Sequence, residues 1–257
     1  MNIDIWSDVA CPWCFIGKRR FETALAAFPH KDEVTVTWHS YQLDPTLPEH
    51  DDRTEAEYLA ASKGMPVGQV RAMFGHVAEQ AAGEGLHYDF DRLVVANSMK
   101  AHQIIQLARE TDAAGAAGAA GAAGAVDAVE EALFRAHFED GEDIGSPAVL
   151  ERIGVAAGLD AAAVRDELDS GSRIPAVEQD VRQAASLGLN SVPTFVLDMA
   201  LAVPGAQPVE VFGRALEQAW ERSHQALTTV TDDSSGAAGN TDSTEGDAAC
   251  GPDGCRL

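Results

Sequence analysis

The sequence predicts an α/β fold: a mixed central sheet, a large helical insertion, and a disordered acidic C-terminal tail. Three observations lead there. Residues 2–41 read as strand, helix, strand. Residues 194 to about 225 read as strand, strand, helix. Between them, from Thr54 to Leu187, the chain is alanine-rich with the spacing of helices. A β-α-β unit normally makes a right-handed crossover between parallel strands, and a short turn joins antiparallel ones. The two ends therefore supply the two parts of a mixed sheet, and the middle is carried as an insertion.

In order, Ile3 and Ile5 alternate with Asp4 and lead into Trp6, a short strand. From Cys11 the spacing turns helical, with Phe21, Leu25 and Phe28 on one face until Pro29 stops it. Residues 33–41 alternate β-branched and aromatic side chains, a second strand. Gln42-Leu43-Asp44-Pro45 and Pro48 then form a loop. Pro66 opens a helix with Val67, Val70, Phe74, Val77 and Ala81 on one face. Asn97 caps the next, through Met99, Ile104, Ile105 and Ala108. Further helices run from Val126 to Phe138, from Ser146-Pro147, from Asp160, and from Ala176 to Leu187. Residues 194–198 and 200–203 are the later strands, and the last helix turns Val209, Phe212, Leu216 and Trp220 inward.

Four Ala-Ala-Gly copies from Ala113 to Gly124 read as a loose connection, since each glycine weakens a helix by ~1 kcal/mol relative to alanine. From Thr228 the composition is too polar to fold. The resulting division is 1–50 and 188–227 for the sheet domain, 51–187 for the insertion and 228–257 for the tail.

The 257 residues carry 18 Lys+Arg against 41 Asp+Glu, a net charge of −23. Nucleic acid and anionic membranes are disfavoured as partners. Self-repulsion on this scale suits high salt, where screening relieves it. No run approaches the ~18 apolar residues of a membrane span. No basic region followed by an apolar stretch opens the chain, so a cytoplasmic location is expected. Four cysteines do not make a structural disulfide framework, and in the cytosol a disulfide is usually transient and catalytic.

The chemistry is expected at Cys11-Pro12-Trp13-Cys14. A C-x-x-C that ends a strand and opens a helix reads as a redox dithiol. Unpaired N–H groups and the positive end of the helix dipole favour a thiolate there. Cys11 is thus expected to be acidic, solvent-facing and nucleophilic, with Cys14 the buried resolving thiol. Two core cysteines, or half a zinc site, are the alternatives. Pro12 suits the first helical position. Trp13 is a substrate contact or a packed lid. Asp8 is a turn or capping residue, or a group that tunes the thiolate. His39 can face the site or turn from it. No cofactor or metal site is expected.

Cys250 and Cys255 flank Gly-Pro-Asp-Gly, a turn sequence that can bring two thiols together. About 20 flexible residues before Cys250 give a reach of roughly 25 Å. The pair is a candidate auxiliary redox couple for Cys11 and Cys14; an inert surface dithiol and a metal site are the other readings.

This arrangement resembles the thioredoxin-like fold of the DsbA family. The residues that carry the resemblance are Cys11-Pro12-Trp13-Cys14 and Ser191-Val192-Pro193-Thr194. Asp8 to Gly17, Tyr41-Gln42-Leu43-Asp44-Pro45, Leu133 to Phe138, Asp143-Ile144-Gly145 and Pro204 to Pro208 resemble its FrnE-like branch. That branch is related to 2-hydroxychromene-2-carboxylate isomerases and kappa-class glutathione transferases. The resemblance spans residues 1–225 and implies a cis Val192–Pro193 bond facing the dithiol, with Val192 and Pro193 positioning substrate. It implies a thiol–disulfide oxidoreductase or isomerase acting on protein or low-molecular-weight thiols and disulfides. The electron donor would be of the thioredoxin-reductase or small-thiol type. A glutathione-dependent isomerase or transferase is the rival, although such relatives usually lack the full dithiol. A chaperone-like or zinc-binding module is the other.

Overall fold

A computed structural model of the chain describes residues 1–49, 51–113 and 124–224. Most of the alanine–glycine stretch and everything from residue 225, including Cys250 and Cys255, lie outside the described residues.

The sheet has four strands in the order β2-β1-β3-β4. β1 (Asn2–Ser7) pairs parallel with β2 (Thr35–Ser40), with Ile5 opposite Trp38 and Trp6 opposite His39. On its other side β1 pairs antiparallel with β3 (Thr194–Leu197), which turns into β4 (Leu201–Pro204). The β3–β4 turn places Asp198 and Met199 at positive φ (47° and 53°). Both central residues of the hairpin turn that matches strand twist need that conformation. The Asp198 carboxylate accepts from the Asn2 amide at 2.7 Å, tying the turn to β1.

Alternation along β1 divides the molecule. Ile3 and Ile5 enter the main core with α1 (Pro12–Ala27) and α9 (Val209–Ser223). Phe21 of α1 meets Phe195 and Phe212 there, with ring centroids 5.2 and 5.8 Å apart. Trp6 points to the opposite face, into a smaller cluster with Ala184 and Val196.

The middle of the chain forms α2 (Glu55–Lys63), α3 (Val67–Gly83), α4 (Met99–Thr111), α5 (Ala125–Phe138), α6 (Pro147–Ala156), α7 (Ala161–Ser170) and α8 (Ile174–Ser186). The sequence reading did not single out α2. Its signal is a capping box: Thr54 accepts from the Glu57 amide, and the Glu57 carboxylate accepts from the Thr54 amide. Asp160 caps α7 as expected, accepting from Ala163 at 2.9 Å. At α4 the cap position is Ser98 rather than Asn97, but the Asn97 side chain still accepts from the Met99 amide at 2.9 Å. α4 is buried continuously from Ala101 to Ala108 and packs against α5, α7 and α8. No helix among the described residues is long and apolar enough to cross a membrane.

Candidate active site

Cys11 is the N-cap of α1, in an extended conformation, with Pro12 next at the first helical position. Its amide donates to the Asp8 carbonyl at 2.9 Å, and the Cys14 amide donates to the Cys11 carbonyl at 3.0 Å. These bonds close the turn and bring both thiols to the start of the helix. The Val192–Pro193 peptide bond is cis, and the Cys11 thiol donates to the Val192 carbonyl at 3.7 Å.

The expected solvent-facing Cys11 is corrected: it is only 5% exposed, against 1% for Cys14. The 192–193 loop lies against the thiol and shields it. Burial, then the neighbouring Cys11 thiol, push the Cys14 thiol well above its ordinary pKa; the Asp8 backbone and the Ser7 hydroxyl oppose them. Trp13 is half-buried and packs against the main core; Val192 is half-buried and Pro193 buried. The candidate pair Cys250 and Cys255 is not among the described residues.

Gly17 explains how the loop comes so close. A Cβ there would stand 2.9 Å from Cγ of Pro193 and 3.5 Å from Ala206. Only glycine lets the proline ring rest on α1 at this distance. Arg20, from the next turn, donates to the Ala206 carbonyl at 2.8 Å and pairs with Glu84 at 2.6 Å. From the insertion, the Tyr88 hydroxyl donates to the Pro12 carbonyl at 2.7 Å. Its ring stacks on Phe138 (4.8 Å), while Phe15 stacks on Phe134 (5.0 Å). The first turn of α1 is thus clamped from both sides.

Asp8 is almost wholly buried (1% exposed) and organises the strand-to-helix loop. Its carboxylate accepts from the Ala10 amide (3.1 Å) and the Leu43 amide (2.7 Å), and lies 3.2 Å from Nε2 of His102. The capping reading therefore holds, with an ion pair added. Burial opposes the Asp8 charge, but His102 and the amides outweigh it and its pKa is lowered. Burial likewise opposes protonation of His102, and Asp8 outweighs it, so the imidazolium is favoured.

Sequence reasoning missed His102, and with it Glu130 and His137, which complete this buried polar group. Burial raises the Glu130 carboxyl to about 7 and lowers His137 to about 4. A raised carboxyl pKa adds stability that is complete below the ordinary value and lost as pH rises through the raised one. A shift from 4.5 to about 7 corresponds to about 3 kcal/mol. Glu130→Gln is therefore expected to gain about 3 kcal/mol on wild type between about pH 4.5 and about pH 8. Urea unfolding at the two pH values measures it; a pH-independent difference would mean that Glu130 does not ionise at cost.

His39 turns away from the dithiol. It stacks on Trp6 (4.4 Å) and bridges Asp4 (2.8 Å) and Asp180 (3.2 Å). Among the described residues no group of three or more His, Cys, Asp or Glu is placed to hold a metal ion.

A buried dithiol at a helix start, opposite a cis-proline loop and below a helical insertion, is the geometry with which known proteins can be compared. Residues 2–217 match the DSBA-like thioredoxin domain. The chain belongs to that family. It is 37% identical to a probable DsbA oxidoreductase from Streptomyces coelicolor, with a TM-score of 0.79, covering 100% of this chain and 99% of that one. The cytosolic disulfide reductase DsbM from Pseudomonas aeruginosa, solved with GSH, is 20% identical, with a TM-score of 0.58 and coverage of 86% and 100%. A 2-hydroxychromene-2-carboxylate isomerase is 14% identical, with a TM-score of 0.58 and coverage of 87% and 98%. The last two share the thioredoxin-like DsbA fold.

Proposed function

We propose that the chain is a dithiol–disulfide oxidoreductase acting on protein or small-molecule disulfides, with Cys11 as nucleophile and Cys14 as resolving thiol. The observation that carries this reading is the placement of the two thiols. Cys11 caps α1 beside the Val192 carbonyl, and Cys14 sits one turn behind it, buried and held as a thiol. The reacting form of Cys11 is its thiolate. That thiolate attacks a substrate disulfide, forming a mixed disulfide and releasing one substrate thiolate. Cys14 loses its proton and attacks Cys11 Sγ. The second substrate thiolate leaves, and the Cys11–Cys14 disulfide carries away two electrons' worth of oxidation. A small thiol or a reductase restores the dithiol. Val192 and Pro193 position the substrate chain, and Trp13 borders it.

Insulin-disulfide reduction by wild type, abolished in Cys11→Ser, is the expected result. Glutathione-dependent isomerisation without disulfide reduction would instead favour the isomerase reading, which the fold likeness to the chromene-carboxylate isomerase motivates.

Cys250 and Cys255, which lie outside the described residues, fit this scheme as an auxiliary redox pair that exchanges electrons with Cys11 and Cys14. Changing both to serine is expected to slow turnover with a protein reductant several-fold. Unchanged steady-state kinetics would remove the relay.

A further inference from the structure

A cavity of about 200 Å³ opens beside the dithiol, between the Asp8–Ala10 loop, the 43–47 loop, α2 and the start of α4. It begins at Ala10, the residue before Cys11. It is smaller than the ~300–1,000 Å³ of sites for drug-sized ligands. A short chain fits it and a whole peptide does not.

Its lining is mainly acidic. Asp8, Asp44 and Glu55 line it against one lysine, Lys63 at the exposed end of α2; Asp8 is already paired with His102. Asp44 is fixed in place: it accepts from the Thr46 amide (2.9 Å) and hydroxyl (2.6 Å) and from the Tyr58 hydroxyl (2.6 Å). His137 lines the interior; it is 3% exposed, and its Nδ1 has no hydrogen-bond partner. Burial keeps the imidazole neutral. An imidazole nitrogen without a partner can offer a lone pair to a donor that enters. A buried ring nitrogen without a partner is a costly feature, and here it lies in a cavity lined by Asp8, Asp44 and Glu55.

We propose that this cavity is the subsite for the amine-bearing arm of a low-molecular-weight disulfide. The ammonium lies against Asp44 and Glu55 and donates towards Nδ1 of His137, and the sulfur is presented to Cys11. This deepens the proposed function and rests on it. Burial, then Asp51, raise the Glu55 carboxyl to about 7, and an arriving cation restores its charged form. The step is a thiol–disulfide exchange: Cys11 thiolate attacks one sulfur of R–S–S–R, RS⁻ leaves and is protonated by water. Cys14 then displaces the second RS⁻, so the substrate is reduced and the dithiol oxidised. A dithiol reductant in the assay regenerates the protein.

The test compares three disulfides: cystamine, which is cationic, hydroxyethyl disulfide, which is neutral, and dithiodiglycolate, which is anionic. Cystamine is expected to exceed hydroxyethyl disulfide in kcat/KM by about tenfold, with dithiodiglycolate lowest. Glu55→Gln should cut the preference for cystamine over hydroxyethyl disulfide several-fold. Equal rates for all three would overturn the proposal. So would a preference that survives Glu55→Gln, since the net charge of −23 would then be its source. Binding of S-methylcysteamine, which cannot exchange, is read separately by NMR. Shifts confined to Ala10, Ser98 and His137 support the subsite, and their absence overturns it. If no disulfide is turned over, the proposed function fails, and this titration still decides the cavity.

Discussion

Replacing Cys14 with serine is expected to stall the protein as a mixed disulfide on Cys11 and to cut turnover on the order of 10³-fold or more. In wild type the resolving thiol stands one helical turn from the mixed disulfide, and aligned groups act at effective molarities of ~10⁵ M and above. An external thiol at millimolar concentration cannot replace it. The covalent adduct is measured by mass spectrometry after reaction with a disulfide peptide, and it should disappear on reduction. The same step carries a pH signature. Burial is the largest cause of the raised Cys14 pKa, and it persists when Cys11 is in a mixed disulfide; the contribution of Cys11's charge does not. Only the deprotonated fraction attacks, so wild-type resolution should accelerate about tenfold per pH unit through the neutral range. Resolution that is flat between about pH 6 and about pH 8, or a Cys14→Ser variant with ordinary turnover, would refute the assignment of Cys14.

The parts of this site that were readable in the sequence are those whose chemistry is local. Cys11, Pro12 and Cys14 are neighbours in the chain, and a strand end followed by helical spacing gives their context. The cis-proline loop came from the resemblance carried by Ser191-Val192-Pro193-Thr194, not from spacing. The polar residues behind the site were hidden because they come from distant helices: His102 reaches Asp8 from α4, Glu130 and His137 belong to α5, and Asp180 lies on α8. Each looked like an ordinary polar residue of an amphipathic helix. A signal did exist. Asp180 falls between Val177 and Ala184 on the buried stripe of α8, and Glu130 beside Val126, Val129 and Leu133 on that of α5. A charge on an apolar stripe needs a partner, and here the partners are set by tertiary packing. The same packing overturned the exposure expected of Cys11, because a helix start is open only until another loop lies on it.

Asp180→Ala is the substitution expected to cost most in stability, about 3–5 kcal/mol. Its carboxylate accepts from the Ser40 amide (3.0 Å), the Gln106 amide group (2.7 Å) and Arg109 (3.1 Å), and lies 3.2 Å from His39. Truncation takes the carboxylate from the Ser40 amide and leaves Gln106, Arg109 and His39 with only the Ser40 hydroxyl, the Trp38 carbonyl and Asp4, and domains are stable by only ~5–15 kcal/mol in total. Asp180→Asn should cost less, since the amide oxygen still accepts. The pH dependence has two edges. Burial works against the Asp180 charge, but His39, the Ser40 amide and Arg109 outweigh it and its pKa is lowered. Its contribution is present above the ordinary value of 3.8 and lost as pH falls through the lowered one. Burial also works against His39 protonation, but Asp180 and Asp4 outweigh it and its pKa is raised. Its contribution is complete below 6.5 and lost as pH rises through the raised value. The penalty of Asp180→Ala should therefore be greatest between about pH 4 and about pH 6.5. Denaturant unfolding across that range measures it, and a penalty under about 0.5 kcal/mol would place the network at an ordinary surface site. The consequence reaches the active site through packing. Trp6 donates from its indole to the Asp180 carbonyl at 3.1 Å, and Val192 packs against the same small cluster. Loosening α8 at Asp180 thus loosens the support of the residue whose carbonyl faces Cys11. The variant should lose disulfide-exchange activity at temperatures where it is still folded.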